Sequence, residues 1–352
     1  MNRFLSSLAG GLEPYVPGEQ PKDKKYVKLN TNESPYGPSP KVLEAIKKAA
    51  CSDIRLYPDP ESSILLKAAS KYYDLPEEMI FAGNGSDEVL AFAFAAFYSG
   101  KNLVFPEVTY SFYPVYCNLF NVDFKELSMG DDLSMNSMFM EKAGCGVVFP
   151  NPNAPTGEML DLDVIRAILT ANKDSVVLVD EAYIDFGGTS CVGLTKDYDN
   201  LLVVQTFSKS RALAGMRIGL AFGSLLLIEG LSRVKNSFNS YPLDRVAQNA
   251  GAAALQDDEY YSKMQDKIIR TRGKAVSRLT GMGFCVLDSC ANFLFTTHSS
   301  LKAKDIYNKL KDNNVLVRYF NKPGIDNYVR ITIGTDEQME ILFRNLEKIL
   351  EG

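Results

Sequence analysis

The hydrophobic pattern along the chain alternates between two periods. SPKVLEAIKKAACS carries an apolar stripe at helical spacing, with Pro40 near its first turn and Ser39 as the expected cap. ESSILLKAASKYY predicts a second helix and MIFAG a short strand. From there strands and helices alternate. GSDEVLAFAFAAFYSG, YSFYPVYCNLF and DLDVIRAILTAN read as helices, and NLVFPE, NVDFKEL, GVVFP, VVLVDEAY, LLVVQTF and RIGLAFG as strands. Continuous apolar strands separated by helices predict an α/β fold: a largely parallel sheet sandwiched by helices, with its site at the carboxyl ends of the strands.

After about residue 235 the pattern changes. PLDRVAQNAGAAAL and the long DDEYYSKMQDKIIRTRGKAVSRL predict consecutive helices, the second long enough to bridge two domains. GFCVLD, NFLFTT, VLVRYF and YVRITIG follow as strands, with helices at AKDIYNKLKDN and DEQMEILFRNLEKIL. This predicts a smaller C-terminal α+β domain over residues 256–352, behind a large domain over 36–255. Residues 1–35, rich in Gly, Pro and Asn, read as an extended arm.

Composition narrows the function class. The chain has 352 residues, 46% hydrophobic and 23% charged, and a net charge of −5 from 38 basic and 43 acidic side chains. That balance, with no clustered Lys and Arg, argues against a nucleic-acid surface. No apolar run is long enough to predict a membrane span or a secretion signal, so the cytoplasm is the expected compartment. The six cysteines have no CxxC spacing and read as small buried hydrophobes. A single histidine, His298, excludes most zinc sites and any triad needing a second histidine; in TTHSS it reads as a surface residue.

Several short stretches carry candidate chemistry. GNGSDE (Gly83–Glu88) joins a strand to a helix whose free N–H groups suit a phosphate, but it lacks the third glycine of a dinucleotide fingerprint. FPNPNAPTG (Phe149–Gly157) reads locally as a rigid turn at a strand end. VVLVDEAY ends a buried strand with Asp180, which needs a partner such as a protonated heterocyclic nitrogen, with Tyr183 within reach of the same ring. In VQTFSKSRALAGMRIG, Lys209 lies beside the next apolar strand, 29 residues after Asp180. It is either a snorkelling surface lysine or a buried nucleophile. Ser208 and Arg217 add a hydroxyl and a guanidinium able to hold a phosphate. An acid for a ring nitrogen, an amine for an aldehyde and ligands for a phosphate together match pyridoxal phosphate.

At these residues the chain resembles the aspartate-aminotransferase fold family of pyridoxal-phosphate enzymes, and within it the branch acting on L-histidinol phosphate. The resemblance runs through LEPYVPG, KLNTNESPYGPSP, RLYPDP, GNGSDE, PEVTYSFY, NPNAPTG, VDEAY, TFSKSRALAGMRIG, FNSYPLDRVAQ and VRITIG. It implies Lys209 as the Schiff-base lysine, Asp180 at the pyridine nitrogen, Tyr183 at the ring's phenolic oxygen and Tyr110 stacked on the ring. It implies that Gly85, Ser86 and Asp87, with Thr206, Ser208 and Arg217, cradle the pyridoxal 5'-phosphate, and that Tyr57 reaches the phosphate from a second subunit of a homodimer. Arg330 resembles a carboxylate-gripping arginine; Arg318, Tyr15 and Asn32 resemble further substrate-pocket residues. One departure stands out: Ala154 occupies the position where the family's usual NPNNPTG has an asparagine. Asn153 or Tyr183 must then cover that contact. The implied reaction moves an amino group from L-histidinol phosphate to 2-oxoglutarate. An aromatic amino-acid aminotransferase, a threonine-phosphate decarboxylase and a catalytically silent binding module remain as alternatives. Arg211 has no implied role and is expected to face solvent or pair locally.

Overall fold

A computed structural model describes residues 3–135 and 145–351. The arm contributes a two-residue strand, β1 (Val27–Lys28). The main sheet takes the next seven strands: β2 (Ile80–Asn84), β3 (Asn102–Pro106), β4 (Asp123–Leu127), β5 (Gly146–Pro150), β6 (Val177–Asp180), β7 (Leu201–Thr206) and β8 (Ile218–Phe222). Their spatial order is β2-β8-β7-β6-β5-β3-β4. The central strands pair in parallel, whereas β8 runs antiparallel to both β7 and β2. An α/β sandwich with a largely parallel sheet is therefore what the apolar runs produce.

Both faces of that sheet are covered. Val147 and Phe149, Val177 and Val179, and Leu201 and Val203 point into one apolar cluster. Val148, Leu178, Leu202 and Val204, one residue out of phase, point into the cluster on the other face. The predicted cap at Ser39 is present, its hydroxyl accepting from the Val42 N–H at 3.3 Å at the start of the helix Pro40–Ala49. The stretch after GNGSDE is helical over Gly85–Ala93 and continues as a π turn, Phe94–Tyr98. The helix Leu225–Phe238 has no counterpart in the sequence reading. Its exposed Leu225 and Leu226 precede the buried Leu227, Ile228 and Leu231, so four successive apolar residues hide the helical period.

The C-terminal layer is a four-stranded antiparallel sheet. It is built from β9 (Phe284–Val286), β10 (Phe293–His298), β12 (Arg318–Tyr319) and β13 (Val329–Thr332), in the order β12-β13-β10-β9. VLVRYF, expected as one strand, is split. Its first half, β11 (Val315–Leu316), pairs in parallel with β1, and only its second half joins the sheet. The arm is thus stitched to the C-terminal layer. The long helix Asp258–Gly281 spans both units, burying Tyr261 in the main core and Ile268, Ala275 and Leu279 in the C-terminal one.

Two surface expectations are corrected here. His298 is buried at the end of β10: its Nδ1 faces the N–H groups of Ser300 and Leu301, and its Nε2 lies 3.2 Å from the Met282 carbonyl. The polar TTHSS sequence hid a buried imidazole whose Nδ1 braces the turn that follows β10. Of the cysteines, Cys117 and Cys191 are buried but Cys51 and Cys285 are exposed. Among the described residues no helix is long and apolar enough to cross a membrane.

Candidate active site

The carboxyl ends of β2, β6 and β7 meet at one rim, and because β8 runs the other way its amino end meets them there. That reversal carries Arg217, just before β8, to the same place as Asp180 and Lys209. The rim encloses a cavity of about 290 Å³ lined by Ser86, Asp87, Tyr110, Asp180, Tyr183, Thr206, Ser208, Lys209 and Arg217.

Its floor depends on two missing side chains. Gly85 has φ +79°, and a Cβ on it would stand 2.6 Å from Arg217 Nη2. A Cβ on Gly219 would stand 2.5 Å from the Gly85 carbonyl carbon and 2.6 Å from the Ser86 nitrogen. The β8 backbone therefore presses against the first turn of the helix Gly85–Ala93, and that helix N-terminus opens on the cavity beside a guanidinium. Arg217 donates to Asp87 at 3.0 Å and to the Ser208 hydroxyl at 3.4 Å. N–H groups, hydroxyls and an arginine at a helix start form an anion cradle.

Deeper in, Asp180 is 4% exposed. Its carboxylate accepts from the Tyr113 hydroxyl at 3.1 Å and the Ala182 N–H at 3.2 Å, and it forms no salt bridge among the described residues. Burial pushes its pKa up to about 7, against the downward pull of those two hydrogen bonds. A buried carboxylate with two donors and no cation suits a cationic ligand atom.

Lys209 is half-buried rather than snorkelling. Its Nζ donates to the Thr31 carbonyl of the arm at 3.2 Å and lies 5.6 Å from the centroid of the Tyr183 ring. Tyr183 in turn accepts a hydrogen bond from Asn32 Nδ2 at 3.0 Å. Tyr110 closes another side, its hydroxyl held on Asp87 at 2.9 Å.

A second cavity, of about 310 Å³, continues from the first and shares Tyr110, Tyr183 and Lys209 with it. Tyr15, Asn32, Arg318 and Arg330 line it. Arg318 and Arg330 are direct register partners on β12 and β13. Arg330 Nη2 donates to the Asn30 carbonyl at 3.2 Å, while its Nε is buried with no partner. Its guanidinium lies over Phe293 and Phe320, at 5.2 and 5.5 Å, and Arg318 lies over Phe320 at 5.6 Å. Burial, with Arg318 nearby, lowers the Arg330 pKa. Two adjacent guanidiniums on aromatic faces, neither in a salt bridge among the described residues, form a receptor for an anionic group.

A family model described as aminotransferase class I and II matches residues 24–346. The chain belongs to this family. A histidinol-phosphate aminotransferase of Clostridium botulinum (strain Okra / Type B1) is 53% identical over 351 residues, 99% of each chain. One from Clostridium beijerinckii is 50% identical over 353 residues, covering 100% of this chain and 99% of its own. In fold, the solved histidinol-phosphate aminotransferase of Sinorhizobium meliloti in complex with pyridoxal-5'-phosphate matches with a TM-score of 0.88, at 23% identity, over 100% of this chain and 98% of its own. Thermus thermophilus aspartate aminotransferase with maleate matches at 0.80 and 20% identity, over 93% and 91%.

In this aminotransferase three residues from the sequence reading lie away from the cavities. Tyr57 is 80% exposed and stacks on Tyr241, with ring centroids 4.8 Å apart. Asn153, expected beside a ligand ring, is fully buried within its own loop. Its Nδ2 donates to the Val108 carbonyl and the Thr156 hydroxyl, both at 2.9 Å, and its Oδ1 faces the Thr109 hydroxyl. That amide holds the turn, and it is Ala154 that lines the cavity. Arg211 does not face solvent: it is 3% exposed, sandwiched by Tyr72 and Tyr261 at 4.8 and 5.2 Å, and paired with Asp258 at 3.4 Å. The sequence reading missed Gln20, Thr31 and Glu33 of the arm, which line the first cavity, and Tyr113, which orients Asp180. Thr31 and Glu33 lie within the quoted KLNTNESPYGPSP, so proximity to that motif was the available signal; Gln20 had none.

Proposed function

We propose that this aminotransferase moves the amino group of L-histidinol phosphate to 2-oxoglutarate, using pyridoxal 5'-phosphate joined to Lys209. The rim fits that cofactor. The Gly85–Gly219 contact, Ser86, Ser208 and Arg217 suit its phosphate, Asp180 suits its ring nitrogen, and Lys209 suits its aldehyde. When bound, the cofactor supplies an electrophilic carbon for the amine and a cationic ring that draws off electron density as the substrate carbon loses its proton.

The side chains do the rest. Asp180, ionised beside a cation, keeps the proton on the ring nitrogen. Lys209 Nζ, which lies 3.2 Å from the Thr31 carbonyl, would take the proton from the substrate carbon as general base once the substrate amine has displaced it, and would hand that proton to the carbon of the former aldehyde from the same side. Tyr110 would cover a face of the bound ring, and Tyr183 would donate to its phenolic oxygen. Arg318 and Arg330 grip the substrate anion, and the aromatic walls of Tyr15, Phe112 and Phe320 exclude water. Tyr57 serves the site of a second copy in a homodimer, which is why a large aromatic stands exposed. The enzyme works in the cytoplasm.

The Arg318–Arg330 pair is the observation that carries the substrate class. One donor bears a phosphate and no carboxylate, while glutamate bears two carboxylates; paired guanidinium forks accept either anion. The relatives in Clostridium support the same choice. The test is a donor panel on purified, cofactor-loaded protein, with 2-oxoglutarate as acceptor. Histidinol phosphate should show a much larger kcat/KM than phenylalanine or tyrosine. A reversed ratio would make the protein an aromatic aminotransferase, and released carbon dioxide from threonine phosphate a decarboxylase. Borohydride should fix the cofactor on Lys209, as read by peptide mass mapping. Absence of any absorption band from bound cofactor would mark a silent binding module.

A further inference from the structure

Behind the first cavity, and outside its lining, a buried chain of hydrogen bonds ends on Tyr183. Thr332, on β13, is 3% exposed and lines neither cavity described above. Its hydroxyl oxygen accepts from the Asn32 backbone N–H at 3.0 Å. The single proton of that hydroxyl then goes to Asn32 Oδ1, at 2.9 Å. With Oδ1 committed to Thr332, the Asn32 amide has one orientation left, and its NH₂ faces the Tyr183 hydroxyl at 3.0 Å. Asn32 itself is held from the other side, its carbonyl accepting from Asn292 Nδ2 at 3.0 Å, and its backbone sits at φ +58°. The Tyr183 oxygen therefore receives a proton from Asn32 and cannot point its own proton back along that bond. The remaining direction is the cavity, which Tyr183 lines.

This polarity matters because of Ala154. At the cavity wall it presents a methyl group, and the neighbouring Asn153 amide is spent inside the turn. Neither residue donates to a ring oxygen, so Tyr183 must do so without their help. We infer that Thr332 is a positioning residue which, through Asn32, fixes Tyr183 as a one-way hydrogen-bond donor into the cavity and so takes over the role lost at Ala154. This rests on the cofactor reading above, in which Tyr183 faces the phenolic oxygen.

The test reads the pH midpoint of the visible absorption of cofactor-loaded protein. A donor on the phenolic oxygen withdraws negative charge from the neighbourhood of the Lys209 nitrogen, so weakening that donor lets the nitrogen keep its proton to higher pH. Thr332→Val keeps the shape but frees the Asn32 amide to turn, and should raise the midpoint by roughly 0.3 to 1 pH unit. Thr332→Ser keeps the hydroxyl and should leave the midpoint unchanged. Asn32→Asp replaces the NH₂ by a second acceptor that draws the Tyr183 proton away, and should raise the midpoint at least as far as Thr332→Val. In a Tyr183→Phe background Thr332→Val should add nothing. The inference is overturned if either Thr332→Val or Asn32→Asp leaves the midpoint in place, or if Thr332→Val still shifts it in the absence of the Tyr183 hydroxyl. Wild-type protein showing no such band would overturn the cofactor reading and this one together. A wild-type band with Lys209 labelled but no response to Asn32→Asp would overturn this one alone.

Discussion

Asp180 shows how one buried group ties stability to pH. In cofactor-free protein its pKa stands at about 7, pushed up chiefly by burial, against an ordinary value near 3.8. Between those two values the folded chain holds a proton that the unfolded chain has released. Stability of the cofactor-free protein should therefore fall as pH rises through that window, by up to about 1.4 kcal/mol per pH unit from this group. Asp180→Asn should remove that slope, as measured by urea unfolding across the range, and should also abolish transamination because a neutral amide cannot hold the ring proton. An unchanged slope in the variant would show that other groups set the pH dependence. Arg211 teaches a different lesson at the same scale: two tyrosine faces and Asp258 make its burial tolerable, so it works in the core and not at the rim.

At the scale of elements, the antiparallel course of β8 is what completes the site. It lies between β2 and β7, so its first two residues stand beside their last ones, with Ile218 opposite Asn84 and Gly219 opposite Thr206. Gly219 lets β8 touch the turn that starts the helix Gly85–Ala93. Gly219→Ala would place a methyl 2.5–2.6 Å from backbone atoms of Gly85 and Ser86, which cannot move aside as a side-chain tip could. Overpacking of this kind costs about 1–3 kcal/mol, so the variant should fold yet bind pyridoxal phosphate about tenfold or more weakly. An absorbance titration of the cofactor-free variant checks this; wild-type affinity would show that the turn is not the phosphate cradle.

For the whole molecule, the segment around Tyr57 is firmly anchored although its aromatic tip is exposed. The buried Lys235 donates to the Pro60 carbonyl at 2.9 Å and pairs with Glu61, and Gln248 Nε2 donates to the Asp59 carbonyl at 2.9 Å. A rigid loop presenting Tyr57 and Tyr241 outward fits delivery of a residue to a second subunit. If the sites are shared, Lys209→Ala and Tyr57→Ala proteins should each be poor catalysts as homodimers. Mixing them after reversible dissociation should restore activity, because each heterodimer holds one intact site. Random pairing sets the recovery at about a quarter of wild type. No recovery, with heterodimers shown to form, would place Tyr57 outside the catalytic machinery.

The alternation of apolar strands and helices was readable along the chain because burial on both sheet faces demands continuous apolar runs. That Lys209, Asp180 and Arg217 need partners was readable because charged groups beside such runs must be paired, and the fold brings all three to one cavity. The helix Leu225–Phe238 and the split of VLVRYF were not, since exposed leucines blur a helical period and strand pairing depends on distant chain. The same holds for the pairing of Arg318 with Arg330, the inward turn of Asn153, the burial of Arg211 and His298, and the arm's placement of Thr31 against Lys209. Residue type announces which groups require a partner; only the folded chain, by bringing segments some 300 residues apart into hydrogen-bonding distance as with Asn32 and Thr332, decides which partner each receives.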